Sequence, residues 1–341
     1  MLPTAPRPRV SLLILALILS PVAAADGVAR AATTGGLPLQ LVADIPLGGH
    51  PTRLDYASFD SGRHLLFIAH LGDSEVIVVD TKSRVVVTRI PGVSRVHGVL
   101  AIPELGVVYA SATGTNEVVA IDESTLKVIA RMPGGVYPDG LAYSPETHKV
   151  YVSDEHGGTD TVIDVRINQR VAAVQIGGDI GNTMYDPTTH HMFVNAQTTA
   201  ELVEVDPATD RIVRRLKVPG AKENHGLLID PSTNRAYIAC QGNDQLIVLD
   251  LSTGNRIATV PVAKDPDVLA LDAERGELYV AGESGEVSLF KLTHDGVRTI
   301  ASGHHADYAH VVAVDPASHE VYFPLQNVSG KAQLRIMRPS L

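Results

Sequence analysis

Short apolar segments, rich in β-branched residues, recur along the chain at a nearly constant interval. Each contains an aromatic residue followed by small or β-branched residues, as in LLFIAH, VVYASA and KVYVSD. The seven aromatic positions are Phe67, Tyr109, Tyr151, Phe193, Tyr237, Tyr279 and Tyr322. Their separations are 42, 42, 42, 44, 42 and 43 residues. Such self-similarity predicts seven copies of one structural unit.

Four short strands are predicted in each unit. An apolar strand precedes a turn such as DPTTHH or DPASHE, whose Asp and Pro suit a type I turn. The aromatic strand and then a third strand follow, and a fourth strand completes the unit. The third strand ends in aspartate in five units, at Asp80, Asp122, Asp164, Asp206 and Asp250. We interpret these aspartates as residues that form turns by hydrogen bonding to their own backbone.

Four strands per period of about 42 residues predict an all-β fold, a single seven-bladed β-propeller over residues 37–341. The blades are expected near residues 48–92, 93–135, 136–178, 179–220, 221–264, 265–305 and 306–341. The last unit supplies only three strands. Residues 39–47 have strand character, and we expect them to complete that blade and close the ring, which would cover two open sheet edges.

Residues 1–25 have the three-part pattern of a secretory signal peptide. Arg7 and Arg9 precede the apolar run Val10–Leu19, and small residues precede Asp26. Ten apolar residues are too few to span a bilayer, which takes roughly 20, although an uncleaved anchor is the alternative. We expect residues 26–36 to be a flexible lead-in, and the mature protein to be periplasmic or secreted, without a membrane span, and monomeric.

The composition narrows the function classes. The 341 residues carry a formal net charge of −10, with 45% hydrophobic and 19% charged residues, which excludes a disordered chain. The acidic balance argues against nucleic acid as a partner. The single cysteine, Cys240, excludes an internal disulfide and a CxxC site. Cys240 itself is either a buried small hydrophobic residue or a copper ligand.

One position in the repeat carries candidate chemistry. It lies twelve residues before each aromatic residue, at the start of the innermost strand. Its occupants are Asp55, His97, Asp139, Gly181, His225, Asp267 and His310. Because innermost strands line the channel of a propeller, these side chains are expected to form one ring near its mouth. The glycine, with Asn182 beside it, is expected to leave an open side for substrate or water.

The ring predicts a divalent transition metal as cofactor. Crowded carboxylates repel one another, and a cation relieves that repulsion. Imidazole and carboxylate together suit Zn, Cu, Fe, Ni or Mn. The predicted metal ligands are Asp55, His97, Asp139, His225, Asp267 and His310. The alternative is a structural ring of hydrogen bonds or a channel filled with water.

Further residues around this ring are candidates for catalysis and ligand binding. His225 and His310 are predicted to act as acid or base, since the pKa of histidine lies near neutral pH. The predicted ligand-binding residues are Arg53, Arg95, Tyr137, Glu155, Asn182 and Tyr308. The two arginines suit either an anionic substrate group or the ring carboxylates. No GxSxG, phosphate-loop or HExxH motif occurs.

The repeat resembles the YVTN-type β-propeller family. Aromatic-Val-Ser/Ala, a loop, V-x-V-Φ-D and then Thr or Ser are best seen in residues 66–89, 150–165 and 236–259. The resemblance implies relatives among extracytoplasmic surface proteins, lactonase-like and lyase-like enzymes, and metal- or cofactor-bearing oxidoreductases. Three hypotheses stay open because one fold hosts many functions. They are a metal-assisted enzyme, a module that sequesters metal or binds a small molecule or partner protein, and a structural scaffold.

Overall fold

The computed structural model describes residues 1–2 and 36–340. The predicted signal peptide, apart from its first two residues, and nearly all of the predicted lead-in lie outside the described residues. Among the residues that are described, no helix is long and apolar enough to cross a membrane.

Seven four-stranded antiparallel sheets form the blades, which confirms the predicted all-β seven-bladed propeller. The innermost strands are β2 (Ala57–Asp60), β6 (Val96–Ile102), β10 (Pro138–Ser144), β14 (Ile180–Asp186), β18 (Asn224–Asp230), β22 (Pro266–Asp272) and β26 (Ala313–Val314). The second strands are β3 (Leu65–His70), β7 (Val107–Ala112), β11 (Lys149–Asp154), β15 (His191–Ala196), β19 (Arg235–Cys240), β23 (Glu277–Gly282) and β27 (Val321–Val328).

The outer half of each blade completes the pattern. The third strands are β4 (Glu75–Asp80), β8 (Glu117–Asp122), β12 (Thr159–Asp164), β16 (Glu201–Asp206), β20 (Gln245–Asp250), β24 (Glu286–Thr293) and β28 (Lys331–Pro339). The outermost strands are β5 (Val85–Pro91), β9 (Lys127–Pro133), β13 (Gln169–Gln175), β17 (Arg211–Lys217), β21 (Arg256–Pro261), β25 (Gly296–His304) and β1 (Leu39–Pro46). Two short 3₁₀ turns, Thr113–Thr115 and Gln241–Asn243, follow β7 and β19.

Strand β1 closes the ring, as predicted. It pairs antiparallel with β28, from Leu39 opposite Pro339 to Pro46 opposite Gln333. Across this pair, the Arg335 guanidinium donates to both carboxylate oxygens of Asp44, at 2.8 and 2.9 Å. The pairing covers the edges that β1 and β28 would otherwise expose.

The repeating aromatic and aspartate positions have structural roles. All seven aromatic side chains are fully buried between blades. All five repeat aspartates accept a backbone N–H two or three residues further on, for example Asp80 from Lys82 and Asp122 from Thr125. Their predicted role as turn residues is therefore confirmed.

Candidate ligand-binding site at the mouth of the channel

The ring position coincides with an irregularity in strand pairing. In the blades of β6, β10, β14 and β18, the register with the second strand shifts across two residues, as between Val96 and Val99. Such a bulge re-aims the side chains that it contains. Here it contains the ring residue and, in three blades, a glycine. A Cβ on Gly98 would lie 2.1 Å from Asp139 O in the next blade, and a Cβ on Gly226 would lie 2.1 Å from Asp267 O. Neighbouring blades can therefore approach this closely only where the residue has no side chain.

The chain enters most innermost strands through a left-handed residue. This residue lies two positions before the ring residue in five of the seven blades. The residues and their φ angles are Arg95 (46°), Tyr137 (62°), Glu223 (49°), Asp265 (51°) and Tyr308 (57°). Non-glycine residues seldom adopt positive φ. The conformation turns the chain sharply into the inner strand.

All six predicted metal ligands are buried, with exposures of 1 to 6%. Five of them line a cavity of about 340 Å³ at the channel mouth, which we call the mouth cavity. They are Asp55, His97, Asp139, His225 and Asp267. The sixth, His310, does not line it. His310 Nε2 lies 3.9 Å from an oxygen of Asp55 and 3.9 Å from one of Asp267, and it has no hydrogen-bond partner.

Tyr56, which sequence reasoning missed, forms the floor of the mouth cavity. From the first blade it reaches across the channel, and its hydroxyl donates to Asn182 Oδ1 at 2.8 Å. The same oxygen lies 3.3 Å from His225 Nε2 and 3.4 Å from Asp267 Oδ1. Below Tyr56 lies a second cavity of about 260 Å³, lined mainly by apolar side chains of the inner strands. Tyr56 therefore separates a charged chamber from an apolar one.

A break in the repeat could have pointed to Tyr56. The residue after the ring position is glycine in three blades, at Gly98, Gly140 and Gly226, and tyrosine in the first. The expected open side at Gly181 is wrong. A Cβ there would lie 2.4 Å from the carbonyl oxygen of His225, so the glycine permits close packing of two blades and leaves no opening.

His225 lies between two carboxyl groups. Its Nε2 is 3.3 Å from Asp267 Oδ1 and 3.8 Å from Asp139 Oδ2. Burial favours the neutral ring, but the hydrogen bond and charge of Asp267, aided by Asp139, raise the pKa of His225 to about 9. The Gln197 amide opposes the doubly protonated form of His225. Its Nε2 donates to Ile180 O and lies 2.9 Å from His225 Nδ1, so that Nδ1 accepts a hydrogen bond and carries no proton. In either state His225 carries a proton on Nε2, so this atom acts as a donor.

The pKa values of the ring carboxyl groups are shifted in different directions. Burial raises the pKa of Asp139 well above its ordinary value, although the charge of His225 opposes the shift. Burial acts in the same direction on Asp55 and Asp267. Their pKa values are nevertheless lowered, Asp55 by His310 and Arg53 and Asp267 by His225 and His310. Burial therefore favours the protonated form at Asp139, whereas the neighbouring positive charges favour the ionised form at Asp55 and Asp267.

One guanidinium faces many carboxyl groups in the mouth cavity. Arg53 Nε donates to Asp55 at 2.9 Å, and a terminal nitrogen lies 2.8 Å from Glu283 Oε1. The seven carboxyl groups of the lining belong to Asp55, Asp139, Glu155, Glu223, Asp265, Asp267 and Glu283. Arg53 is already paired with two of them and His225 with Asp267, so carboxyl groups remain in excess and the cavity favours a positively charged occupant.

Aromatic rings line one side of the mouth cavity. The Tyr137 ring lies between His97 and His156, with centroid distances of 5.0 and 4.5 Å. His97 Nδ1 donates to Arg95 O at 3.0 Å, so its Nε2 accepts from the Tyr137 hydroxyl at 3.1 Å. This arrangement requires neutral His97, and burial lowers the pKa of His97 accordingly.

The remaining predicted residues are divided between the cavity and the surface. Glu155 and Tyr137 line the mouth cavity, and Asn182 holds Tyr56 at its floor. Arg95 is exposed and does not line the cavity, whereas Tyr308 is 54% exposed and lines a separate surface depression.

Cys240 is buried in the hydrophobic core, where burial raises the pKa of its thiol to about 12. These surroundings favour its interpretation as a small hydrophobic residue.

The ring does not bring three potential metal ligands together. In residues 1–2 and 36–340, three His, Asp or Glu side chains have ligand atoms within 4.8 Å of one another at one place only. That place is His70, Asp73 and Glu75, outside the ring. The ring residues thus do not fit a compact three-ligand centre, and a metal there stays a prediction.

Comparisons with known proteins identify the fold class and no family. No family model and no curated protein matches the chain. Solved structures similar to this chain include Kuenenia stuttgartiensis hydrazine synthase, with a TM-score of 0.72 and 14% identity over 92% of this chain and 98% of that one. A mitotic checkpoint complex chain matches with a TM-score of 0.75 and 14% identity over 96% and 99% of the two chains.

The WD40 repeats of RRP9 match with a TM-score of 0.74 and 11% identity, over 88% of this chain and all of that one. At such identities the likeness shows the propeller fold alone. The YVTN-type resemblance stays a prediction.

Proposed function

We propose that this propeller binds a small organic cation in the mouth cavity. The observation that carries the proposal is the excess of acidic groups in the lining, where seven carboxyl groups, one of them favoured in its neutral form, face the Arg53 guanidinium and the His225 imidazole. Charged walls of one sign in a cleft concentrate ligands of the opposite sign. The acidic chain as a whole, with a net charge of −10, adds to that attraction.

The size and lining of the cavity favour an organic ion over a bare metal ion. A volume of about 340 Å³ lies in the range of small-molecule pockets. The rings of Tyr137 and His156 stand at its side, and a tyrosine face attracts an ammonium group through its quadrupole. The Tyr56 hydroxyl and His225 Nε2 lie at the floor, where they suit a polar group of the ligand.

His225 is the residue in the mouth cavity that is placed to take part in catalysis. The geometry of His225 supports an acid and not a base at Nε2, because that atom keeps its proton beside Asp267. A lactonase-like or lyase-like reaction assisted by a divalent metal remains the alternative implied by the YVTN-type resemblance.

Thermal unfolding with matched ligands tests the binding proposal. Benzylammonium, benzyl alcohol and benzoate share a ring and differ in charge. We expect benzylammonium to raise the melting temperature, since a ligand that binds only the folded state stabilises it. Stabilisation by benzoate or benzyl alcohol equal to that by benzylammonium would overturn the proposal.

A pair of variants locates the binding. Glu155→Gln removes one carboxylate from the cavity lining, and Asp295→Asn removes one from a turn where Asp295 is 95% exposed. A charge pair at about 4 Å contributes about 1 kcal/mol even in water, which is about fivefold in affinity. We expect calorimetry to show that loss for Glu155→Gln and not for Asp295→Asn, and equal affinities would contradict the assigned site.

A partner-protein scaffold is the second candidate, and the outer surface favours it. Val87, Ile129, Val171 and Val213 occupy the same position in four consecutive outermost strands and are 47 to 52% exposed. A partner protein that spans neighbouring blades would bury several of these side chains at once. Chemical crosslinking in the native source would test this, because Ile129→Lys with Val171→Lys should remove a specific adduct while cation binding persists.

A further inference from the structure

A second polar cluster lies in the first blade, in the loop between β3 and β4. His70 ends β3, Glu75 begins β4, and Asp73 lies between them. His70 Nδ1 is 3.0 Å from Glu75 Oε1 and 3.7 Å from Asp73 Oδ2. In a tetrahedral zinc site, bonds of about 2.0–2.1 Å place neighbouring ligand atoms about 3.3 Å apart. The two distances lie on either side of that value.

The hydrogen bonds of His70 direct one ring nitrogen into the cluster. The Thr52 hydroxyl donates to Asp73 Oδ1 at 3.3 Å, so its oxygen accepts from His70 Nε2 at 3.0 Å. The proton of the neutral ring therefore lies on Nε2. Nδ1 then faces two carboxyl groups across contacts that need a proton or a metal ion, because an unprotonated ring nitrogen and ionised carboxylate oxygens only accept.

The ring nitrogen of His70 that faces away from the cluster has its own hydrogen-bond partner. A ligating histidine usually donates its other ring N–H to a carboxylate, a backbone carbonyl or water, which fixes the tautomer and the ring orientation. Here the Thr52 hydroxyl oxygen accepts that hydrogen bond and fixes the tautomer in the same way. His70 is completely buried, so its orientation is held by its surroundings and not by solvent.

A fourth ligand is available from the solvent side. His50 is 83% exposed on its side chain, and its Nδ1 lies 3.1 Å from Asp73 Oδ1. The loop that carries it passes close to the cluster, because a Cβ on Gly49 would lie 2.8 Å from Asp73 Oδ2. An ion could therefore enter from the solvent and take His50 or water as its last ligand.

Arg89 limits the charge that the cluster presents. Its guanidinium lies 3.3 Å from Glu75 Oε1 and offsets one of the two carboxylates. The remaining carboxylate and the neutral imidazole are a donor set for a borderline divalent ion and not for an alkali metal ion.

We propose that His70, Asp73 and Glu75, with His50 or water, bind a divalent transition metal ion such as Zn²⁺. The site is separate from the mouth cavity and does not depend on the function proposed for that cavity.

Titration of chelator-treated protein with Zn²⁺ alone, followed by calorimetry, tests the proposal. We expect one ion per chain. Asp73→Asn keeps the shape of the side chain and should weaken Zn²⁺ binding by at least about tenfold. Loss of a residue that only hydrogen bonds to a metal ligand already costs about 10- to 100-fold in affinity. Asp295→Asn, which removes a remote exposed carboxylate, should bind like the wild type. Co²⁺ in place of Zn²⁺ should give a visible spectrum that Asp73→Asn loses.

Three outcomes would overturn the proposal. The first is no Zn²⁺ bound by the wild type, which would leave the cluster as a set of hydrogen bonds within the protein. The second is unchanged affinity in Asp73→Asn. The third is loss of affinity in Asp267→Asn with retention in Asp73→Asn, which would place the ion in the ring. Because Asp73 is partly exposed, its variant should fold even where His70→Gln does not.

Discussion

Asp160 provides a sharp test of how burial controls charge in this fold. It lies on β12, is completely buried, and has one carboxyl oxygen without a hydrogen-bond partner. Its other oxygen accepts from the Thr183 hydroxyl at 3.2 Å. Burial, with the nearby Asp154 charge, raises the pKa of Asp160 from 3.8 to about 8. We expect Asp160→Asn to remove a large part of the pH dependence of stability.

The direction in which the free energy of unfolding changes with pH follows from proton binding. Between about pH 4 and pH 8 the folded chain keeps a proton that the unfolded chain releases, so the free energy of unfolding falls as pH rises. Each pKa unit corresponds to 1.36 kcal/mol. From pH 5 to pH 8, this one group lowers the stability of the wild type by about 4 kcal/mol. Asparagine has no such proton, so the variant gains about that much relative to the wild type over this range.

Urea unfolding at several pH values measures how the free energies of unfolding of the wild type and Asp160→Asn differ as pH changes. The exposed-carboxylate variant Asp295→Asn is the control and should follow the wild-type profile. The pH dependence of Asp139 and of the other titrating groups remote from Asp160 is common to all three proteins and cancels in the comparison, whereas Asp154 interacts with Asp160 and adds to the difference. Parallel profiles for the wild type and Asp160→Asn would refute the reasoning, because Asp160 would then have the same pKa in both states.

Three further results are expected. Tyr56→Phe leaves the Asn182 carbonyl oxygen without its donor and should lower the free energy of unfolding by about 1–3 kcal/mol; an unchanged urea midpoint would contradict the role of Tyr56 as a hydrogen-bonded floor. Deleting residues 36–46 removes β1 and should expose β28, and light scattering should detect association through that edge; a monodisperse product would argue against it. N-terminal sequencing of the secreted protein should begin at Asp26, and an intact leader would refute the predicted signal peptide.

Repetition made the fold and the ring register predictable. The aromatic period sets the strand count, and a fixed offset from Phe67 or Tyr109 places Asp55 and His97 at one height. Tyr56 was not predictable in this way, because its position is defined by a departure from the repeat. Nor were the opposite pKa shifts of Asp139 and Asp267, because they depend on distances to His225. The cluster at His70 depends on a loop that approaches only after folding.

The closing pair of strands has a consequence for the order of folding. Asp44 and Arg335 are 291 residues apart in sequence, whereas one repeat spans 42 residues. Loop-closure entropy grows by about 0.6 kcal/mol per doubling of length, so this pairing costs nearly 2 kcal/mol more than closing one repeat. During synthesis, β1 is made before the other strands and remains unpaired until β28 has left the ribosome. The seventh blade is therefore the last to assemble, and its formation depends on the six blades that bring its two ends together.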